Sequence, residues 1–320
     1  MIEDAIVVDG HMDTPLRMVD EGIDLVRGSA RVHADLPRMR EAGLDAAFFA
    51  AWIDPELAPE GALARCEALL GAVRELARSH PERVALADSA EAVRALAGSG
   101  RLALLAGVEN GQAIEGDPGN LERLRVLGVR YLTLTWMNSN ELGDAGGGER
   151  LHGGLSRLGR EVVRRMERLG ILVDLAHAAP STFRDAIAIA TRPVAVTHAA
   201  TEARGAHFRN LTDDQIRAVA ATGGVVGVAF MPEYLTPHDP GAADVTSIGD
   251  HLERIVEVGG IETAALGSDL DGVPALPRGI RGVEDYPSVA GALAERGFGE
   301  SERAAVLGGN WLRLLDSLDA

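Results

Sequence analysis

Histidine and carboxylate residues in this chain fall where predicted β-strands end, and they are the residue types that bind divalent metal ions. His11 and Asp13 are spaced as His-Xaa-Asp at the end of the first predicted strand. Residues two apart on a strand point to the same side, so both can bind one metal ion. Four further strands end in single residues of this kind: Glu109, His177, His198 and Asp269. Because zinc accepts imidazole nitrogen and carboxylate oxygen together, the set predicts a metal site.

The elements that would position these residues alternate between helix and strand. Several amphipathic runs end in glycine and continue as an apolar run, as in LRVLGVRYLTL and MERLGILVDL. Eight strands are predicted in this way, over 5–13, 44–53, 102–109, 129–136, 171–177, 193–198, 224–231 and 263–269. Eight βα units predict an α/β fold, a (β/α)8 TIM barrel formed by a single domain over 1–320. A doubly wound open sheet is the competing architecture, but no G-x-G-x-x-G turn follows the first strand.

In such a barrel the strand-end residues converge on the C-terminal face, where active sites lie. Two metal ions about 3.5–4 Å apart need a bridging ligand. Lysine is absent from the chain, which excludes a carboxylated lysine and leaves Glu109 as the candidate bridge. The metal ions would lower the pKa of a shared water toward about 7 and polarise a scissile carbonyl group. Asp269 is then placed to accept and return the proton.

Other histidines in the chain do not predict metal ligands. His33 and Asp35 repeat the His-Xaa-Asp spacing, but they precede LPRMREAG, where Asp35 is better explained as a helix N-cap. Surface or packing roles are expected for His80, His207, His238 and His251. Further helix starts are predicted at Asp88, Ser156 and Thr212. The Gly-rich stretch 138–156 indicates an active-site loop or a mobile lid.

Composition excludes several classes of protein. The chain has 320 residues and a net charge of −17, so a nucleic-acid partner is not expected. Its single cysteine, Cys66, excludes a disulfide framework. The acidic N-terminus enters a strand at once, and no run approaches about 18 apolar residues. We therefore expect a cytoplasmic protein with no membrane partner.

The chain resembles the membrane (renal-type) dipeptidase family, the zinc dipeptidases of peptidase family M19, within the amidohydrolase-like barrels. The resemblance runs in family order over essentially the whole chain. It is carried by the segments DGHMDTP, GVENG, RYLTLTW, ILVDLAHA, PVAVTHA, RNLTDD, LGSDLDGVP and GGNWLRLL.

This resemblance implies two zinc ions per chain and roles for individual residues. His11, Asp13 and Glu109 match the ligands of the more buried zinc, and Glu109 also bridges to a second zinc. His177 and His198 would complete the second site. Asp269 matches the proton-handling aspartate, and Arg209 matches the arginine that binds the substrate's C-terminal carboxylate. On its residue type alone Arg209 would be an ordinary arginine near a helix start.

The family's reaction is hydrolysis of the peptide bond of a dipeptide, with tolerance for a D-residue at the C-terminal position. Many members carry a substrate-binding histidine where this chain has Trp136, whose indole N–H can donate one hydrogen bond from a different place. His152 in the following loop is a candidate to compensate. The alternatives are a related hydrolase that acts on a specialised amide or peptide-derived metabolite, and a non-catalytic barrel that keeps structural zinc or acts as an interaction scaffold. A homodimer is expected from the family likeness.

Overall fold

The computed structural model describes residues 5–318 and alternates strands with helices over that range. The strands are β1 Val8–Met12, β2 Ala46–Trp52, β3 Val84–Leu86, β4 Leu102–Glu109, β5 Val129–Thr133, β6 Leu172–Asp174, β7 Ala195–Ala199, β8 Val225–Val228 and β9 Ala264–Leu266. The α-helices are α1 Thr14–Asp20, α2 Leu36–Glu41, α3 Ala62–Ser79, α4 Ala90–Leu96, α5 Asn120–Val126, α6 Arg157–Arg168, α7 Pro180–Ile189, α8 Asp213–Ala221, α9 Pro232–Leu235, α10 Val245–Gly259, α11 Tyr286–Glu295, α12 Glu300–Ala304 and α13 Asn310–Leu318. No helix within residues 5–318 combines the length and the apolarity needed to span a bilayer.

Eight of the strands form a parallel barrel, which confirms the predicted (β/α)8 fold. Their order is β1-β2-β4-β5-β6-β7-β8-β9. The chain just after β9 closes the ring against β1, since the Asp269 N–H donates to the His11 carbonyl at 3.0 Å and the Asp13 N–H donates to the Leu270 carbonyl at 2.9 Å. The unpredicted strand β3 pairs only with the first three residues of β4 and lies outside the ring.

Two buried apolar clusters lie on the two sides of the barrel wall. Alternate strand residues point inward, where small alanines such as Ala46 and Ala103 leave room for the rings of Phe48 and Tyr131. The last helix, α13, belongs to this inner cluster and contributes Trp311, whose indole N–H donates to the Leu266 carbonyl at 2.8 Å. The outward-facing strand residues form the larger cluster beneath the helices.

Local signals in the sequence account for most helix boundaries. Five glycines that stand where an amphipathic run gives way to an apolar run have left-handed φ angles between 65° and 95°: Gly43, Gly128, Gly170, Gly223 and Gly260. Asp35, Ser156 and Thr212 cap the helices predicted for them. The predicted cap at Asp88 is wrong by one residue, because the Ser89 hydroxyl accepts from the Ala92 N–H and begins α4.

Several strands are shorter than predicted at their C-terminal ends. β6 ends at Asp174 and β5 at Thr133, so His177 and Trp136 lie three residues beyond their strands. The buried carboxylate of Asp174 accepts the N–H groups of Ala176 and Thr197 and so turns the chain out of the sheet. The apolar sequence pattern continues past the ends of β5 and β6 because the loops that follow these strands are also largely buried.

The close contact between β4 and Tyr131 gives a first prediction. A Cβ atom at Gly107 would overlap the Tyr131 ring, whereas the helical Gly71 has free space around the corresponding position. We expect Gly107→Ala to lower the free energy of unfolding by about 1–3 kcal/mol through overpacking. The matched control Gly71→Ala should raise it by up to about 1 kcal/mol through helix propensity. Urea unfolding midpoints measure both, and equal effects of the two substitutions would contradict this account.

Candidate active site

Glu109 lies between two groups of metal-compatible side chains at the C-terminal end of the barrel. Its Oε2 atom faces His11, whose Nε2 is 3.7 Å away. Its Oε1 atom faces His177 and His198, whose Nε2 atoms lie at 2.8 and 3.3 Å. Asp13 completes the first group, with its Oδ1 atom 3.7 Å from the His11 Nε2. One carboxylate therefore contacts both groups, as a bridging ligand must.

The donor atoms of these side chains fit a metal ion better than they fit one another. His11, Glu109 and His198 are 2% exposed or less. Even so, the His11 Nε2 and the Asp13 Oδ1 atoms have no hydrogen-bond partner among the described residues. In two groups of three residues, the possible ligand atoms all lie within 4.8 Å of one another. One group is His11, Glu109 and His198, and the other is His11, Asp13 and Asp269. Buried polar atoms without partners are costly, and metal ions would satisfy them.

A second layer of polar residues orients the histidines. The Tyr131 hydroxyl lies 2.8 Å from the His11 Nδ1, so the other ring nitrogen, Nε2, points into the site. The Thr197 hydroxyl lies 3.0 Å from the His198 Nδ1 and donates to the buried Asp174 carboxylate at 2.7 Å. The barrel interior thus fixes which nitrogen each of these two rings presents.

Burial and crowding set the protonation of the site. Burial lowers the pKa of His11, His177 and His198 well below the usual value, and nearby positive charge lowers it further. The imidazoles are therefore neutral near pH 7, as metal binding requires. Burial, followed by the neighbouring Glu109, raises the pKa of Asp13 and Asp269 well above the ordinary range. Burial also opposes ionisation of Glu109, but the neighbouring His11 and His177 outweigh it and lower the pKa of that carboxyl.

Asp269 and Asp271 follow β9 on a loop that His33 holds in place. Asp269 and Asp271 have left-handed φ angles of 62° and 69°, strained for non-glycine residues. The Asp271 carboxylate accepts from the Thr14 hydroxyl and the His33 N–H, both at 2.7 Å. In return, the Asp271 N–H donates to the His33 Nδ1 at 3.0 Å. His33 therefore has a positioning role that its sequence context did not indicate, and Asp35 is the predicted N-cap.

Arg209 is buried beside the second group without an ion-pair partner among the described residues. It is 4% exposed, and its guanidinium donates to the His198 carbonyl at 3.1 Å and lies 5.3 Å from the centre of the Tyr234 ring. Its Nε atom has no partner within the described chain. A buried, unpaired guanidinium calls for an anion, and a carboxylate matches its geometry.

A cavity of about 440 Å³ opens above these groups. Trp136 lines it, as do Trp52, Met137 and Tyr234, so the predicted contact residue does face the site. His152 is used differently, because its Nε2 lies 2.9 Å from the Asn140 carbonyl within the loop. That loop is pinned by the Asp144 carboxylate, which accepts the N–H groups of Leu151, His152 and Gly154.

Comparisons with known proteins agree with this arrangement. The family model described as membrane dipeptidase, peptidase family M19, matches residues 1–320. An uncharacterised dipeptidase of Schizosaccharomyces pombe is 31% identical over 96% of this chain and 80% of its own length.

Two solved structures extend the likeness to three dimensions. The crystal structure of dipeptidase AC, a metallopeptidase of family M19, superposes with a TM-score of 0.92 at 27% identity, covering 99% of this chain and 100% of that one. A metallopeptidase of Rhodobacter sphaeroides, bound to a phosphinate mimic of the dipeptide L-Ala-D-Ala, superposes with a TM-score of 0.89 at 26% identity, covering 98% and 100%. The chain belongs to the membrane dipeptidase family, the metal-dependent peptidase family M19.

Proposed function

We propose that this protein is a dipeptidase that binds two zinc ions per chain and hydrolyses the peptide bond of dipeptides. The observation that carries the proposal is the position of Glu109, whose two oxygens face two separate groups of neutral imidazole and carboxylate ligands. His11, Asp13 and Glu109 would hold one ion, and Glu109, His177 and His198 the other. Acceptance of a D-residue at the C-terminal position is supported by the phosphinate ligand of the R. sphaeroides relative.

Different residues of the chain have different roles in the proposed reaction. Zinc ions bound here would make a water molecule nucleophilic and polarise the substrate carbonyl. Asp269 takes the proton of the attacking water and donates it to the departing amine, because its carboxylate lies beside the first ligand group, with Oδ1 4.0 Å from the His11 Nε2. Arg209 binds the free carboxylate of the substrate and so selects dipeptides over longer chains cut internally. The products are two amino acids.

Asp269→Asn tests the proton transfer separately from the metal. We expect the substitution to lower kcat by about 10²–10⁴-fold on dipeptides such as L-Ala-L-Ala and L-Ala-D-Ala, because an amide cannot accept and return the proton. Zinc content should stay at two per chain by elemental analysis. The matched control is Asp214→Asn on α8, whose side chain is 94% exposed and which should leave kcat unchanged.

Two outcomes would contradict the proposal in different ways. A protein that binds no metal at neutral pH would rule out the metal centre. A protein that binds zinc but leaves every L-L, L-D and dehydro dipeptide intact would favour the alternative of a specialised amide substrate.

Tyr131→Phe tests how the first zinc site is organised. Loss of the hydroxyl that orients His11 should weaken zinc binding at that site by about 10–100-fold. The site formed by His177 and His198 is an internal control, since Thr197 rather than Tyr131 orients His198. Competition with a chromogenic chelator resolves the two affinities. Equal weakening of both sites would contradict separate support of the two ligand groups.

Arg209→Met tests carboxylate recognition. Hydrogen bonds to charged groups contribute about 1.5–3 kcal/mol, so kcat/KM for L-Ala-L-Ala should fall by about 10–100-fold. The C-terminal amide of the same dipeptide lacks the carboxylate and should lose far less. The control Arg204→Met removes only an exposed ion pair with Glu253. A similar loss with both substrates would show that Arg209 does not bind the carboxylate.

A further inference from the structure

Two of the three tryptophans in this chain line the active-site cavity. Trp52 and Trp136 are both only partly buried there, whereas Trp311 is fully buried in the barrel. The chain is poor in aromatic residues, at 4% of its length. Large apolar rings left partly exposed inside a cavity indicate a surface for binding an apolar group.

The two indoles form one continuous wall beside the second ligand group. Their ring centres lie 5.0 Å apart at an interplanar angle of 71°, an edge-to-face arrangement. The Trp136 ring centre lies 6.2 Å from that of His177. Trp52 is the register partner of Glu109 across β2 and β4. The wall therefore stands next to Glu109 and His177.

The opposite side of the cavity has a different chemical character. Asp269 and Asp271 follow β9, which lies across the barrel from β5, the strand that precedes Trp136. The rim contributed by α1 and the residue that follows it is charged, with Arg17, Asp20 and Glu21 lining it. Met137 continues the apolar wall next to Trp136, and methionine adapts to ligands of different shape. The indole wall thus lies on one side of the cavity, whereas the other side carries carboxylates together with the apolar Leu16, Val273 and Pro274.

The position of Arg209 indicates which substrate residue meets the wall. His177 lines both the large cavity and a smaller one, about 140 Å³, that Arg209 also lines. A substrate carboxylate held by Arg209 therefore places its own residue beside His177, and His177 borders Trp136. The other substrate residue then extends toward the charged rim of α1.

We propose that Trp52, Trp136 and Met137 form a subsite for an apolar side chain on the C-terminal residue of the substrate. The preferred substrates are dipeptides that end in a residue such as leucine or phenylalanine. This inference rests on the proposed dipeptidase function and specifies its substrate class.

A dipeptide panel tests the subsite on the zinc-loaded enzyme. We expect kcat/KM for Ala-Leu to exceed that for Ala-Gly by about tenfold or more, the scale on which apolar pockets discriminate. Trp52→Ala and Trp136→Ala should each lower this ratio several-fold to about tenfold, and Trp136→Phe should retain most of it because an aromatic surface remains. Leu-Gly carries the apolar side chain on the N-terminal residue instead. The ratio of kcat/KM for Leu-Gly to that for Ala-Gly should therefore not fall in the tryptophan variants.

Tryptophan fluorescence gives a second measurement that does not depend on turnover. Leucine should shift the emission to shorter wavelength because it removes the cavity indoles from water, and glycine should not. Trp311 is already buried and contributes a constant background. The matched control is Val126→Ala, an 81% exposed apolar residue on α5, which should leave the kinetic ratio and the fluorescence response unchanged.

The outcomes separate this inference from the proposed function. Turnover of Ala-Gly without any preference for Ala-Leu, or a ratio unaffected by both alanine substitutions, would overturn the subsite while leaving the dipeptidase in place. If the alanine substitutions instead lower the ratio of kcat/KM for Leu-Gly to that for Ala-Gly, the inference is also wrong, since the wall would then bind the side chain of the N-terminal residue. Absence of all dipeptide turnover would overturn the proposed function, and the leucine-induced shift would still test whether the wall binds an apolar group.

Discussion

The structure depends on one buried carboxylate that is shared by two groups of candidate metal ligands. Glu109 sits at the end of β4 with its oxygens facing His11 on one side and His177 and His198 on the other. Asp13 and Asp269 crowd the same space, and their raised pKa values report how unfavourable three buried carboxylates are without cations. Divalent ions would relieve this repulsion, so metal binding at this site would also stabilise the fold.

The barrel makes this arrangement possible because its interior supports the site from below. Inward-facing residues such as Tyr131 and Thr197 belong both to the packed interior and to the hydrogen-bond network behind the histidines. Small residues of the strands, Gly107 among them, leave the space that the Tyr131 ring occupies. The same residues therefore serve both core packing and the orientation of the histidines, so a substitution that disturbs one also disturbs the other.

Much of the fold and the set of residues that meet in the site could be predicted from the sequence. Glycines that end helices mark the repeating unit, and polar residues at strand ends mark the functional face. Strand ends were less predictable, because His177 and Trp136 lie on buried loops whose apolar pattern continues that of the strands. The left-handed backbone at His177 has no glycine to mark it in the sequence.

Supporting residues were harder to identify for a different reason. Tyr131, Trp52 and Thr197 lie in apolar strand segments, where a single polar or aromatic residue resembles ordinary core. The sequence around His33 shows only its spacing to the N-cap Asp35, because its partner, Asp271, is 238 positions away in the chain. Only the closure of the barrel brings such pairs together, so no local pattern could have indicated them.

The last helix links local unfolding to the geometry of the active site. Trp311 on α13 fills the space beside Gly10 and donates to Leu266, so it supports the seam where β1 meets β9. His11 follows Gly10 directly, so the position of this candidate ligand depends on packing by a residue 300 positions away in the chain. Detachment of α13 would remove that packing and open the seam between β1 and β9. Local unfolding of this one helix would therefore be coupled to the affinity of the first ligand group for a metal ion.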